Sequence, residues 1–321
     1  MTSSALNWGP DVLGPQFERA PITTPDGAEV TLIRHVPSTT GSPRRVAVLY
    51  VHGFVDYFFQ AHVAEAFSNA GYAFYGVDLR AYGRSMAAHE AAGGAAFFAS
   101  DLALHAVDLD ATAETLRAAG HERIAVIGHS MGGLVTALWA LAKPGRADAL
   151  ICNSPWFDLN GSWAERVPLT WLLDVLGRIA PNLPVSGLEP NYTQALHVDF
   201  GGEWDFSLDW KPSGGVPVLA GWIRTVRAAH RRLNSGNLRV GALPTVVFSA
   251  EKSGSPVGDR ATQLTSDTVL NVEHIKRGAL AIGAEYRSIA NAAHDLALGP
   301  EPGRTEYLSQ TVSWLRANLT P

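Results

Sequence analysis

The segment Arg45–Val51, R-V-A-V-L-Y-V, is apolar almost without interruption. A strand with one wet face alternates apolar and polar residues, so an unbroken run marks a strand covered on both faces, as in a parallel sheet. Similar short runs return at Tyr72–Asp78, Arg123–Gly128, Ala149–Ser154, Pro244–Ser249 and Ala284–Ile289. Helix-length segments lie between and after them, at Phe58–Asn69, Phe97–Ala119, Met131–Ala142, Asn271–Ile282 and Arg304–Asn318. Strands alternating with helices of this length imply right-handed βαβ crossovers. The expected class is α/β, with a mostly parallel central sheet and helices on both faces.

The alternation breaks once. From Ser154 to Pro244 no clear buried strand occurs, far more chain than a connection within a core normally takes. This stretch holds six of the nine tryptophans, Trp156, Trp163, Trp171, Trp204, Trp210 and Trp222. They suit either the packing of a small helical subdomain or an apolar cap over a site. The division predicted is a core of 1–155 and 236–321 with a cap, or lid, of 156–235 inserted in it, which suits a chain of 321 residues. Within the insertion, Arg224, Arg227 and Arg231 share one helical face, a pattern more often solvated than anion-binding. At the start of the chain, a loose Pro- and Gly-rich opening leads into Ala28–Val36, whose partial alternation reads as a half-buried edge strand.

With 46% hydrophobic and 17% charged residues, the chain has enough apolar material for a buried sheet and too little charge for disorder. Lys and Arg number 25 against 30 Asp and Glu, and the resulting charge of −5 gives no footprint for nucleic acid. The one cysteine, Cys152, lies in a strand-like run and reads as a buried thiol in a reducing compartment. Met1–Gly14 lacks the basic and apolar regions of a secretion signal, and no run reaches the roughly 18 apolar residues of a membrane span. The expectation is a cytoplasmic protein without stable membrane insertion. No C-x-x-C, H-E-x-x-H, P-loop or G-x-G-x-x-G pattern occurs, so neither a metal nor a nucleotide cofactor is implied.

The strand-like run ending at Ile127 enters Gly128-His129-Ser130-Met131-Gly132, then Gly133 and an apolar helix. This is G-x-S-x-G in a strand–turn–helix setting, where a serine sits on a strained turn and flanking glycines remove Cβ atoms that would collide. The N–H of Met131, at the helix start, then faces an oxyanion formed on an attacked carbonyl. A second donor is expected from the backbone of Phe54, in His52-Gly53-Phe54 after the first apolar run; His52 itself reads as a structural histidine bonding loop backbone. His294, in the loop after the last run, is the candidate base, since histidine exchanges protons near neutrality and the chain order Ser, acid, His fits. Glu251, Asp259 and Asp267 compete to orient it. Asp267 is preferred by position, because it immediately precedes a helix, whereas Asp259 sits in a turn-like G-D-R and Glu251 directly follows the strand.

With these residues assembled, the chain resembles the lysophospholipase and monoacylglycerol lipase-like branch of the α/β-hydrolases, grouped with the serine aminopeptidase S33 family. The resemblance is carried by Tyr50–Gln60 (Y-V-H-G-F-V-D-Y-F-F-Q), Asp78–Ser85 (D-L-R-A-Y-G-R-S), Gly128–Gly133, Thr265–Leu270 (T-S-D-T-V-L) and Ala293–Asp295 (A-H-D). It implies a Ser130, Asp267, His294 triad and hydrolysis of carboxylic esters through an acyl-enzyme, with no cofactor. The tryptophan-rich insertion suggests lipid-like or aromatic acyl esters, such as a monoacylglycerol or lysophospholipid. One departure stands out: relatives present the acid in a short G-x-x-D turn, whereas here S-A-E-K-S-G-S-P-V-G-D-R intervenes. Thioester or amide hydrolysis and acyl transfer are rivals on the same triad, and a non-catalytic receptor on this fold is the rival of another class.

Overall fold

The computed structural model describes residues 6–37, 44–159, 174–187 and 189–321. In chain order its strands are β1 (Gly9–Asp11), β2 (Gly14–Thr23), β3 (Glu29–His35), β4 (Val46–Val51), β5 (Ala73–Asp78), β6 (Arg123–His129), β7 (Ala149–Asn153), β8 (Pro184–Gly187), β9 (Pro217–Leu219), β10 (Thr245–Ala250) and β11 (Glu285–Ile289). One sheet runs β1-β2-β3-β5-β4-β6-β7-β10-β11, and β8 pairs with β9 apart from it. From β5 to β11 every pairing is parallel, while β1, β2 and β3 extend the sheet antiparallel. This is the α/β-hydrolase architecture. No helix among the described residues is long and apolar enough to cross a membrane.

The unbroken apolar runs have a direct structural cause. Successive side chains of a strand point to opposite faces. Ala47, Leu49 and Val51 of β4 enter one apolar cluster, and Val46, Val48 and Tyr50 enter the other. The same division recurs in β6, where Ile124 and Val126 part from Ala125 and Ile127. The first face is covered by the helices Leu104–Ala118, Met131–Ala142 and Val272–Ile282, and the second by Ala61–Asn69 and Gly303–Asn318. Each buried aliphatic side chain contributes roughly 1.5–3 kcal/mol, so the sheet needs both layers.

Three expectations from the sequence change. The opening is not loose, because β1 and β2 form an antiparallel pair there, and β3 is consequently an interior strand covered by β2. The helix expected from Phe97 begins at Leu104, since Phe97 has φ of +60°, outside the helical region, and donates its N–H to Ala81 O. The arginine face is solvated only in part, Arg231 being exposed and Arg227 largely covered, and carboxylates lie against it. Arg227 pairs with Asp158 at 2.8 Å, and Arg224 and Arg231 lie 3.3 and 3.9 Å from Asp174.

The described residues between β7 and β10 pack against the rest of the chain through several distinct contacts. The helix Ala220–Leu233 sends Trp222, Val226 and Leu233 into the same cluster as Leu134 and Val135, so it packs as a layer of the body. A smaller cluster joins Leu196 and Phe206 to Tyr57, Phe59 and Leu298. Trp204 donates its indole N–H to Leu298 O, and Trp210 packs edge-on against Tyr57. Trp163 and Trp171 lie outside the described residues.

Candidate active site

Ser130 terminates β6 and opens the helix Met131–Ala142 with φ of +52° and ψ of −115°. A non-glycine residue there costs on the order of 1–3 kcal/mol, and the surroundings hold it in place. Ser130 N–H donates to Asn153 O, while Ser130 O accepts from Leu134 and Trp156 N–H. The glycines make room. A Cβ on Gly128 would strike Gly132 O at 2.6 Å, one on Gly132 would overlap the carbonyls of Val51 and His52, and one on Gly133 would strike Pro155. Gly132→Ala is therefore expected to lower stability by about 1–3 kcal/mol, the range for overpacking a tight interior. Gly9→Ala, where a Cβ meets nothing within 4 Å, is the control. Urea unfolding of both variants measures the difference, and equal midpoints would remove the steric account of the elbow.

The three residues preferred from the sequence are brought together. His294 Nε2 lies 3.1 Å from Ser130 Oγ, and His294 Nδ1 lies 2.9 Å from Asp267 Oδ2. A carboxylate only accepts, so Nδ1 carries the proton and Nε2 is left to accept from the serine hydroxyl. The other oxygen, Asp267 Oδ1, accepts from Val269 and Leu270 N–H at 3.0 and 2.7 Å. Asp267 is fully buried.

The competing acids stand elsewhere. Asp259 caps the helix Arg260–Thr265, accepting from Thr262 N–H and hydroxyl, which hold its exposed carboxyl below the usual range. Glu251 is exposed. The long segment before Asp267 is an excursion that returns to where it left. Asp267 N–H donates to Lys252 O at 2.9 Å, and Gly254 N–H donates to Asp267 O at 2.8 Å. The acid thus sits where a short turn would have placed it. Gln263 holds the excursion together by donating to the carbonyls of Pro256 and Gly258.

Phe54 shares the cavity lining with Ser130, and Met131 follows Ser130 as the first residue of its helix. Phe54 N–H donates no hydrogen bond among the described residues, and Met131, as the first residue of its helix, has an N–H outside the intrahelical ladder. The Phe54 ring stacks on Trp222 at 5.2 Å and meets Tyr82 edge-on, fixing this loop. His52 bonds Gly53 O and accepts from Leu79 N–H, so both ring nitrogens are engaged with backbone. Burial lowers its pKa, as it lowers that of His129, whose Nδ1 lies 3.2 Å from Asn153 O.

Further site residues are not singled out by the sequence. Asp295, next to the histidine, is buried and accepts from Asn153 Nδ2 at 2.7 Å and Gln60 Nε2 at 3.1 Å. Its N–H donates to the hydroxyl of Tyr192, whose ring stands edge-on to His294 at 5.7 Å. Tyr192 belongs to the short helix Asn191–Leu196 between β8 and β9. The loop carrying His294 is thereby held from the body on one side and from the insertion on the other. Asp295 and Asn153 stood within quoted runs, but their pairing needs the fold.

Ser130 and His294 open on a cavity of about 480 Å³. Trp156, Leu159, Val185, Val216 and Ile223 supply apolar wall from the insertion, and Val269 and Leu270 from beside the acid. Pro256 and Gln263 bring the excursion into the lining.

A parallel sheet with a serine elbow at one strand end and a histidine and carboxylate at two later ones defines an α/β-hydrolase. The profile described as serine aminopeptidase, S33 matches residues 42–199. A monoacylglycerol lipase of Mycolicibacterium smegmatis is 31% identical over 163 residues, which cover 50% of this chain and 54% of that one. The chain therefore spans about half the length of the curated relative it matches. A monoacylglycerol lipase structure from Paleococcus ferrophilus superposes with a TM-score of 0.63 at 18% identity, covering 95% of this chain and 100% of the other. A soluble variant of monoglyceride lipase from Saccharomyces cerevisiae, in complex with a substrate analog, gives 0.66 at 16% identity, covering 100% and 97%. By sequence, the matched part of the chain is similar to the serine aminopeptidase S33 family and to a monoacylglycerol lipase, and the solved structures share its α/β-hydrolase fold.

Proposed function

We propose that this chain is a carboxylic ester hydrolase with Ser130 as nucleophile, His294 as base and Asp267 as the acid that orients it. The observation that carries the reading is the chain of contacts from Ser130 Oγ through His294 to Asp267, at 3.1 and 2.9 Å, opening on an apolar-walled cavity. As Ser130 Oγ attacks the ester carbonyl, His294 Nε2 takes its proton, and the N–H groups of Phe54 and Met131 receive the oxyanion. The proton then passes to the departing alcohol. Water, activated by the same imidazole, releases the acid and restores the serine.

The insertion of 156–235 is read as the cap, with its helix Ala220–Leu233 anchored on the body, and the apolar wall it supplies favours lipid-like acyl groups. Among such esters a monoacylglycerol fits better than a lysophospholipid. The arginine face that a phosphate would need is engaged with Asp158 and Asp174, and Lys211 in the cavity wall is paired with Asp56.

A fluorophosphonate probe is expected to label the protein at Ser130, and p-nitrophenyl esters are expected to be cleaved faster as the acyl chain lengthens from acetate. Monoacylglycerol should be hydrolysed in preference to lysophosphatidylcholine of the same chain. Absence of both labelling and ester turnover would remove the hydrolase reading; labelling with a flat chain-length profile would remove the role of the cap in acyl recognition.

A further inference from the structure

Asp56 lies two residues after Phe54, on the loop that supplies one proposed oxyanion donor, and is buried at 2% exposure. Its Oδ1 accepts from Lys211 Nζ at 2.7 Å. Its Oδ2 faces Gly53 N–H at 3.4 Å. A methyl-sized group on Gly53 would touch both Ser130 Cβ, at 3.2 Å, and Asp56 Oδ2, at 3.7 Å. Asp56 Oδ2 therefore lies within about 7 Å of Ser130 Cβ.

Burial alone would push the Asp56 carboxyl up, but the Lys211 ammonium, with His129 and His52, outweighs it and holds the group below its usual range. His52 and His129 are themselves shifted toward the neutral form by burial. Lys211 is the sole lysine or arginine among the described residues lining the cavity. It comes from the insertion, whereas Asp56 comes from the core, and its ammonium also lies 5.8 Å from the Phe59 and Phe206 rings. A buried ion pair is weak evidence of a gain in stability, because desolvation offsets much of the attraction. Its place beside the nucleophile suggests another use. Negative charge develops there during acylation, and an unneutralised carboxylate would oppose it.

We propose that Lys211 is a positioning residue of the oxyanion site: it cancels the charge of Asp56 and holds the loop of Gly53 and Phe54 in register with Ser130. The insertion thus completes the electrostatics of the reaction as well as covering the acyl group. This rests on the ester hydrolase reading above. Two unit charges about 7 Å apart, at an effective dielectric of about 20, interact strongly enough to change a rate by tens of fold.

The test uses the full-length protein and p-nitrophenyl acetate, whose acyl group is too short to report on the apolar wall. Lys211→Met is expected to lower kcat by about 10- to 100-fold with KM within about twofold. Affinity for a trifluoromethyl ketone, which forms an oxyanion on the serine, should fall by a similar factor. Lys211→Arg should retain most activity. The double variant Asp56→Asn with Lys211→Met removes both charges, and should fold and recover most of the lost kcat even if the single variant folds poorly. A double variant as slow as Lys211→Met, or a folded Lys211→Met with wild-type kcat, overturns the proposal. A rise in KM alone does so too, making Lys211 a binding residue. If the unaltered protein neither labels with fluorophosphonate nor cleaves esters, the hydrolase reading falls as well; if it does both, only this inference is at stake.

Discussion

Ser130→Ala is expected to yield a folded protein whose ester turnover is lower by about a million-fold, since removing a triad nucleophile leaves only binding and the oxyanion donors. The fold should survive because the elbow is held through backbone. Ser130 N–H bonds Asn153 O, and its carbonyl receives Leu134 and Trp156 N–H, none of which involves the hydroxyl. Alanine occupies the same space at the same positive φ, so the strain is carried over. Matching thermal transitions for the two proteins, with single-turnover assays for the residual rate, make the comparison. A folded Ser130→Ala protein that still hydrolyses esters substantially would mean that the reaction runs elsewhere.

Asp267→Asn is expected to lower kcat by about ten-thousand-fold, and the surrounding hydrogen bonds dictate why. Asp267 Oδ1 accepts from two backbone N–H groups, of Val269 and Leu270. An asparagine must keep its oxygen at that position, so its NH₂ is turned toward His294 Nδ1. A donor then faces the nitrogen that should donate, the imidazole adopts the other tautomer, and Nε2–H confronts the serine. Asp259→Asn is the contrast. Asparagine caps a helix about as well as aspartate, and the residue is exposed on the excursion, so turnover and stability should both stay close to normal. Turnover lost in Asp259→Asn and kept in Asp267→Asn would transfer the orienting role to the excursion.

Much of the core was legible because burial on two faces leaves a mark in the chain. The runs at Arg45, Tyr72, Arg123, Ala149, Pro244 and Ala284 correspond within a residue or so to β4, β5, β6, β7, β10 and β11. The antiparallel strands were less legible. β2 carries two prolines and a glycine, which mask its period, and without it β3 read as an edge. The elbow and the histidine were conspicuous because local geometry demands glycine and because the chain order restricts the base. Lys211 was invisible for a different reason: its partner is 155 positions away, and only the path of the insertion joins them. The arginines of the helix Ala220–Leu233 show the same limit, since helical spacing places them on one face but says nothing of Asp158 and Asp174 opposite.

The excursion between Gly254 and Asp267 has a consequence for how such a protein can diverge. Both ends are pinned by backbone hydrogen bonds, while the residues between them supply Pro256 and Gln263 to the cavity. The acid is therefore insulated from the length of the chain that precedes it. Doubling a loop closed in this way costs only about 0.6 kcal/mol in entropy. Residues 255–266 can be shortened, lengthened or exchanged for another sequence, and a side of the cavity reshaped, while the carboxylate stays anchored where it meets the histidine. The segment behaves as a replaceable panel in a fixed frame, and grafting here offers a route to new acyl selectivity that leaves the reacting groups untouched.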